Sequence, residues 1–261
     1  MIYNYLMNFF FSIENSQFEP KLTIPKFQNR NHENFIGRYL YSAEIRNNEW
    51  LIDIVNCLED ENFFYLDKIN LSNKKIFFIS KKSAVKNSLE LNNSLIDLDN
   101  FTDTDPAYRS NMQIELINGG FSSYQAEYPF SLANKKSDIL SNTYLLTNKF
   151  AEKNYLFFKN IYVEPINYEA SGFIIDLKKE KILRKINLLS NTTNIIPLLH
   201  SDLGKDIYFF SKGMSGIPIF VSEKNGHISM EHTHPPHLYL LGNEKFKIVN
   251  QLKKKIYDKF F

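Results

Sequence analysis

The sequence predicts a mainly β protein, an antiparallel sandwich or jelly-roll-like fold with a C-terminal amphipathic helix. Three observations carry the prediction. Short runs rich in aromatic and β-branched residues recur between clusters of Asn, Gly, Lys and Ser. Asn-Gly steps suit tight hairpins because both residues tolerate a positive φ, and they fall between such runs at Asn118-Gly119 and Asn225-Gly226. Helical periodicity is confined to the last stretch, so strands do not alternate with helices as they must in a parallel sheet.

In chain order, residues 35–45 read as a strand, Asn47-Asn48 as a turn, and Trp50-Leu51-Ile52 as the strand that follows. Residues 63–66 and 75–80 are apolar runs whose shortness favours strands over helices. An acidic connector comes next, with Asp97, Asp99, Asp103 and Asp105. It lacks the sixth-position glycine and twelfth-position glutamate of a calcium-binding EF-hand loop, so it reads as a solvated loop. The chain is then a single β-rich domain over 1–261, with a seam near 97–106 that would give 1–100 and 106–261 if there are two.

Beyond the connector, Ile114 and Leu116 alternate as in a strand that turns at Asn118-Gly119-Gly120. Residues 139–147 and 155–163 are aromatic and aliphatic strand-like runs. Residues 172–177 and 182–188 form a predicted hairpin across the charged turn 178–181. Residues 206–210 and 217–221 are further strands, and Pro218 places the second near an edge or a bulge. At the end, Asn243 is a plausible N-cap for a helix whose stripe is Phe246, Val249, Leu252, Ile256 and Phe260. Lys245, Lys247, Lys253, Lys254, Lys255 and Lys259 lie off that stripe, as expected of a helix that packs on a core and leaves its lysines in water.

Composition narrows the classes. Twenty-three Phe, 15 Tyr and 43% hydrophobic residues are far from a disordered chain. A net charge of +2 gives no basic footprint, so nucleic acid is not an expected partner. The single cysteine, Cys57, sits in an apolar run and reads as a small buried hydrophobe; it permits no disulfide within the chain. No segment approaches the roughly 20 apolar residues of a membrane-spanning helix, and residues 1–13 lack the basic start and cleavage site of a signal peptide. The expectation is a cytoplasmic protein without a transmembrane segment.

The chemistry candidates are two. The first is the stretch 225–237, which holds four of the six histidines. Side chains alternate along a strand, so Ile228 and Met230 share one face while His227, Ser229 and Glu231 take the other. With the apolar pair inward, His232 and His234 point inward as well, and His237 lies past a Pro-Pro break. Three imidazoles suit zinc, copper, iron or nickel, and the expected ion is a divalent metal: Zn, Fe, Ni or Mn. The second candidate is a ligand groove of Tyr124, Gln125, Glu127 and Tyr128, whose aromatic faces and hydrogen-bonding groups suit a sugar or another small molecule.

Gly226 followed after five residues by His232-x-His234 resembles part of the first metal-binding motif of the cupin family. The resemblance implies a β-barrel with a metal in its mouth. It covers about ten residues, and the glutamate expected beyond the second histidine is replaced by Leu238 and Tyr239. Other catalytic patterns fail: Gly213-Met-Ser215-Gly216 lacks nucleophile-elbow spacing, and His200-Ser-Asp202 is only a local cluster. The functional expectation is a soluble ligand-binding protein with a divalent-metal site in 227–237. The alternative is a non-catalytic glycan-recognition or protein-interaction module without metal.

Overall fold

A computed structural model describes residues 8–26, 39–80, 109–232 and 244–261. Eighteen strands among them form four antiparallel sheets. The first sheet runs β10 (Glu127–Pro129), β1 (Asn8–Phe10), β7 (Ile76–Ser80), β3 (Tyr39–Arg46) and β4 (Glu49–Ile54). The second runs β5 (Leu58–Glu59), β6 (Phe63–Leu66), β2 (Phe18–Pro25), β8 (Asn111–Leu116) and β9 (Phe121–Tyr124). The third is β15 (Thr193–Leu198), β12 (Lys153–Lys159), β17 (Ile217–Lys224) and β18 (His227–His232). The fourth is β11 (Ile139–Asn142), β16 (Ile207–Lys212), β13 (Glu169–Asp176) and β14 (Lys181–Leu189). A short α1 (Phe130–Ala133) and the long α2 (Glu244–Phe260) complete the described elements.

The mainly β, antiparallel reading with a C-terminal helix therefore holds. The sandwich or jelly roll does not: four sheets of four or five strands, propeller-like in number and size, replace two. The same finding departs from the barrel that the cupin resemblance implies. Strand length and alternation report that a residue belongs to a sheet; they carry no information on how many sheets there are.

Neighbouring sheets pack face to face. From the third sheet, Phe157, Ile219, Val221 and Met230 enter one large core shared with the first two sheets. On its other face Leu156, Phe158 and Phe220 meet Ile174, Leu188 and Phe209 of the fourth. The remaining face of the fourth sheet, with Phe173, Ile175 and Phe210, is covered by Ile256 of α2. The expected seam at 97–106 lies outside the described residues; the large core takes side chains from both sides of it.

Prolines follow hydrogen-bonding need. β2 is a central strand, yet Pro20 pairs with β8 alone and Pro25 with β6 alone. Each sits where one side of the strand has no ladder to donate to. Pro218 obeys the same logic: it pairs with Phe158 of β12, while the β17–β18 ladder stops at Ile219. Turns follow φ preference. Asn47 and Asn48 (φ 52° and 62°) close the β3–β4 hairpin, and Asn225 and Gly226 (φ 50° and 73°) close β17–β18. The β13–β14 hairpin forms across its charged turn as predicted, with Asp176 accepting hydrogen bonds from the Lys178 and Lys179 amides.

Two predicted runs stop early. After β11, the Asn142 side chain accepts bonds from the Tyr144 and Leu145 amides and bends the chain away. After β12, Asn160 turns the chain into a loop. In α2, Ile256 is fully buried and Leu252 and Phe260 are partly so, while Lys247, Lys254, Lys255 and Lys259 are exposed. Asp138 clasps the helix: its carbonyl accepts from Lys253 Nζ at 2.6 Å and its carboxylate from Tyr257 Oη at 2.9 Å. Asn243 lies outside the described residues.

Candidate functional site at a hairpin seam

The β8–β9 and β17–β18 hairpins belong to different sheets but lie side by side. Their Gly-containing turns touch: the Gly120 amide donates to the Gly226 carbonyl at 2.7 Å. A Cβ on Gly119 would stand 2.6 Å from that carbonyl oxygen, so no larger residue fits without a shift. Both strands leave this joint in the same direction, and at its far end Tyr124 meets His232. Their ring centroids are 4.5 Å apart at an interplanar angle of 70°.

The alternation of β18 is the one its sequence implies. Met230 is buried, Ile228 packs on the core and His232 is half-buried, while His227 and Glu231 are exposed. His234 and His237 lie outside the described residues, immediately beyond the end of β18. Among the described residues, no three His, Cys, Asp or Glu side chains are grouped to hold a metal ion. The Tyr124 phenol is pushed above its usual range, first by burial and then by the carboxylates of Glu231 and Glu127, with Arg109 opposing. It therefore stays a neutral hydrogen-bonding group at ordinary pH.

The four groove residues separate. Tyr124 joins the seam. Glu127 stands near it, one carboxylate oxygen accepting from the Ser110 amide at 2.7 Å. Gln125 is half-buried in the step between β9 and β10. Tyr128 is fully buried, packs against Phe11, and donates its hydroxyl to the Ile161 carbonyl at 3.2 Å. Burial drives its phenol far above the ordinary range. It is a core residue that ties the first sheet to the loop after β12.

Compared with known proteins, the chain matches no family model, no curated protein and no solved structure at a significant level.

The remaining motif candidates are structural. Ser215 is fully buried and donates its hydroxyl to the Lys135 carbonyl. Asp202 pairs with Arg184 at 2.8 Å and accepts from the Leu199 amide, which fixes the turn His200–Asp202. Cys57 is half-buried against the large core, and burial raises its thiol pKa.

Sequence reading missed Lys159. It stands fully buried at the end of β12, its ammonium donating to the Asn73 carbonyl at 2.8 Å and lying 5.8 Å from the Phe11 ring centroid. Burial pushes it down to about 7. The signal was present: in Asn154–Lys159 the alternation of polar and apolar residues is lost, which marks a strand covered on both faces. A lysine inside such a run has no route to water.

Proposed function

We propose that the chain is a ligand-binding β protein whose site is the seam where Tyr124 and His232 meet. The observation that supports this is convergence. Two candidates chosen for unrelated reasons, more than a hundred residues apart in sequence, come within ring contact. A neutral phenol, an imidazole, the carboxylates of Glu127 and Glu231 and the nearby Arg109 supply donors, acceptors and an aromatic face together. That set suits a polar small molecule such as a sugar, which offers hydroxyls to the polar groups and a C–H face to a ring.

In the same reading, His232 with His234 and His237 holds a divalent metal. Zinc, iron, nickel or manganese bound by three imidazoles would keep positions open for the ligand. Among the described residues no helix is long and apolar enough to cross a membrane, and a cytoplasmic location belongs to the proposal. The alternative class, a glycan-recognition or protein-interaction module without metal, uses the same seam.

The test combines metal analysis of purified, zinc-loaded protein with a glycan and small-molecule binding screen, on wild type, His232→Ala and Tyr124→Ala. The expected result is one retained ion per chain that His232→Ala loses, together with a ligand whose affinity falls at least tenfold in Tyr124→Ala. Ligand binding that needs Tyr124 without any retained ion selects the metal-free module. Binding indifferent to both substitutions removes the seam as the site.

A further inference from the structure

The loop that joins β12 to β13, residues 160–168, is pinned with unusual completeness. Asn191, buried with φ 55°, accepts from the Tyr162 amide at 2.7 Å and donates to the Glu164 and Ile166 carbonyls. Buried Ser190 accepts from the Tyr168 amide at 2.9 Å and donates to the Ile166 carbonyl. Trp50 Nε1 donates to the Val163 carbonyl at 3.0 Å. Three side chains from two separate segments, β4 and the β14–β15 turn, thus fix one loop, and the groups they fix include the amides of Tyr162 and Tyr168.

The two tyrosines meet edge to face, with centroids 5.5 Å apart and an interplanar angle of 81°. An ammonium, Lys136 Nζ, sits 4.6 Å from one ring centroid and 4.7 Å from the other. Lys136 is exposed, and among the described residues no carboxylate or hydrogen-bond acceptor is assigned to its ammonium. What holds the cation is the negative face of each ring. Burial, and then Tyr162, raise the Tyr168 phenol to about 12, so that ring stays neutral and acts through its quadrupole rather than as a phenolate.

We infer that the Tyr162–Tyr168 cleft is a recognition subsite for an alkylammonium group, and that Lys136 occupies it as an intramolecular stand-in. The cleft is rigid and the lysine is not. It is a solvent-exposed side chain with four methylene groups, tethered at the connection between α1 and β11, and it can swing into water when a better cation arrives. A quaternary ammonium fits better than a primary one, because it is weakly hydrated and loses less on leaving water. That chemistry has two sources, a small quaternary amine and a methylated lysine side chain of a peptide.

The experiment follows tyrosine ring resonances by NMR in wild type, Lys136→Ala and Lys136→Ala/Tyr162→Leu, titrated with tetramethylammonium chloride against an equal concentration of sodium chloride. Leucine keeps apolar bulk at 162 and removes the π face. Lys136→Ala is expected to bind tetramethylammonium saturably and at least tenfold more tightly than wild type, with the Tyr162 and Tyr168 signals moving; Tyr162→Leu is expected to abolish this. A folded Lys136→Ala protein that shows no saturable response overturns the inference, as does binding that survives Tyr162→Leu. Choline and a trimethyllysine peptide then separate the sources: tighter binding of the peptide assigns the subsite to a protein partner, and tighter or equal binding of choline assigns it to a small molecule.

Discussion

β2 of the second sheet and β12 of the third are strands of similar length, eight and seven residues, yet they face different surroundings. In β2 the buried residues Phe18, Leu22 and Ile24 alternate with Glu19, Lys21 and Thr23, which face solvent wholly or in part. In β12 every residue from Asn154 to Lys159 is buried. The second sheet covers a core with one face and meets water with the other. The third is enclosed along its central strands β12 and β17, with the first two sheets on one side and the fourth on the other. Position in the stack, not strand propensity, decides what each residue contributes.

The largest expected contrast comes from truncation in the enclosed sheet. Phe158 is fully buried between the third and fourth sheets, beside Phe209 at a centroid distance of 5.2 Å. Phe158→Ala is expected to cost about 3–5 kcal/mol in urea unfolding, since it removes apolar contacts and leaves a cavity. A loss below about 1 kcal/mol would mean that the two sheets do not pack tightly.

Lys159 gives a pH-dependent contrast. Its folded pKa is pushed from 10.5 to about 7, so below about 7 the amine is protonated in both folded and unfolded states and the full burial penalty is present. As pH rises from about 7 towards 10.5 the folded state is neutral while the unfolded state still holds the proton, and the penalty shrinks by about 1.4 kcal/mol per pH unit. Lys159→Met keeps the length of the side chain and removes the charge. The variant is expected to be the more stable protein near neutral pH, with an advantage that fades through this window. The Asn73 carbonyl keeps the Thr193 amide as a donor at 3.1 Å. Parallel stability profiles for the two proteins would show that Lys159 is solvated.

The smallest effect belongs on the open face of the second sheet. Lys21 and Glu115 form an exposed pair at 2.8 Å between β2 and β8. Lys21→Ala is expected to change stability by less than about 1 kcal/mol, and salt is expected to erase the difference, because water and ions screen such a pair. A larger, salt-resistant loss would mean that this face is covered.

Much of the local structure was legible from particular residues. Asn47-Asn48 and Asn225-Gly226 announced hairpins because few residues accept positive φ, and the structure uses them so. The α2 stripe was legible through Ile256 because a helix repeats its buried face. β2 and β15 are harder to read from sequence, because Pro20, Pro25 and Pro197 argue against a strand unless the pairing on each side is known. In the candidate site, His232 and Tyr124 were each singled out, but in separate proposals. Tyr128 was placed in a groove although its ring is core. Nothing in the spacing of 124 and 232 says that two hairpins of different sheets will abut; the contact depends on how the sheets stack.

By itself the amino-acid order determined the strand-rich class, the hairpin turns, the closing helix and the inward face of β18. Each is written in short-range sterics and in the period of side-chain burial. Tertiary structure alone decided that there are four sheets instead of two, that β12 is enclosed with a lysine at its end, and that Tyr124 and His232 share one seam. Those outcomes depend on contacts between residues far apart in the chain, where no local periodicity exists to record them.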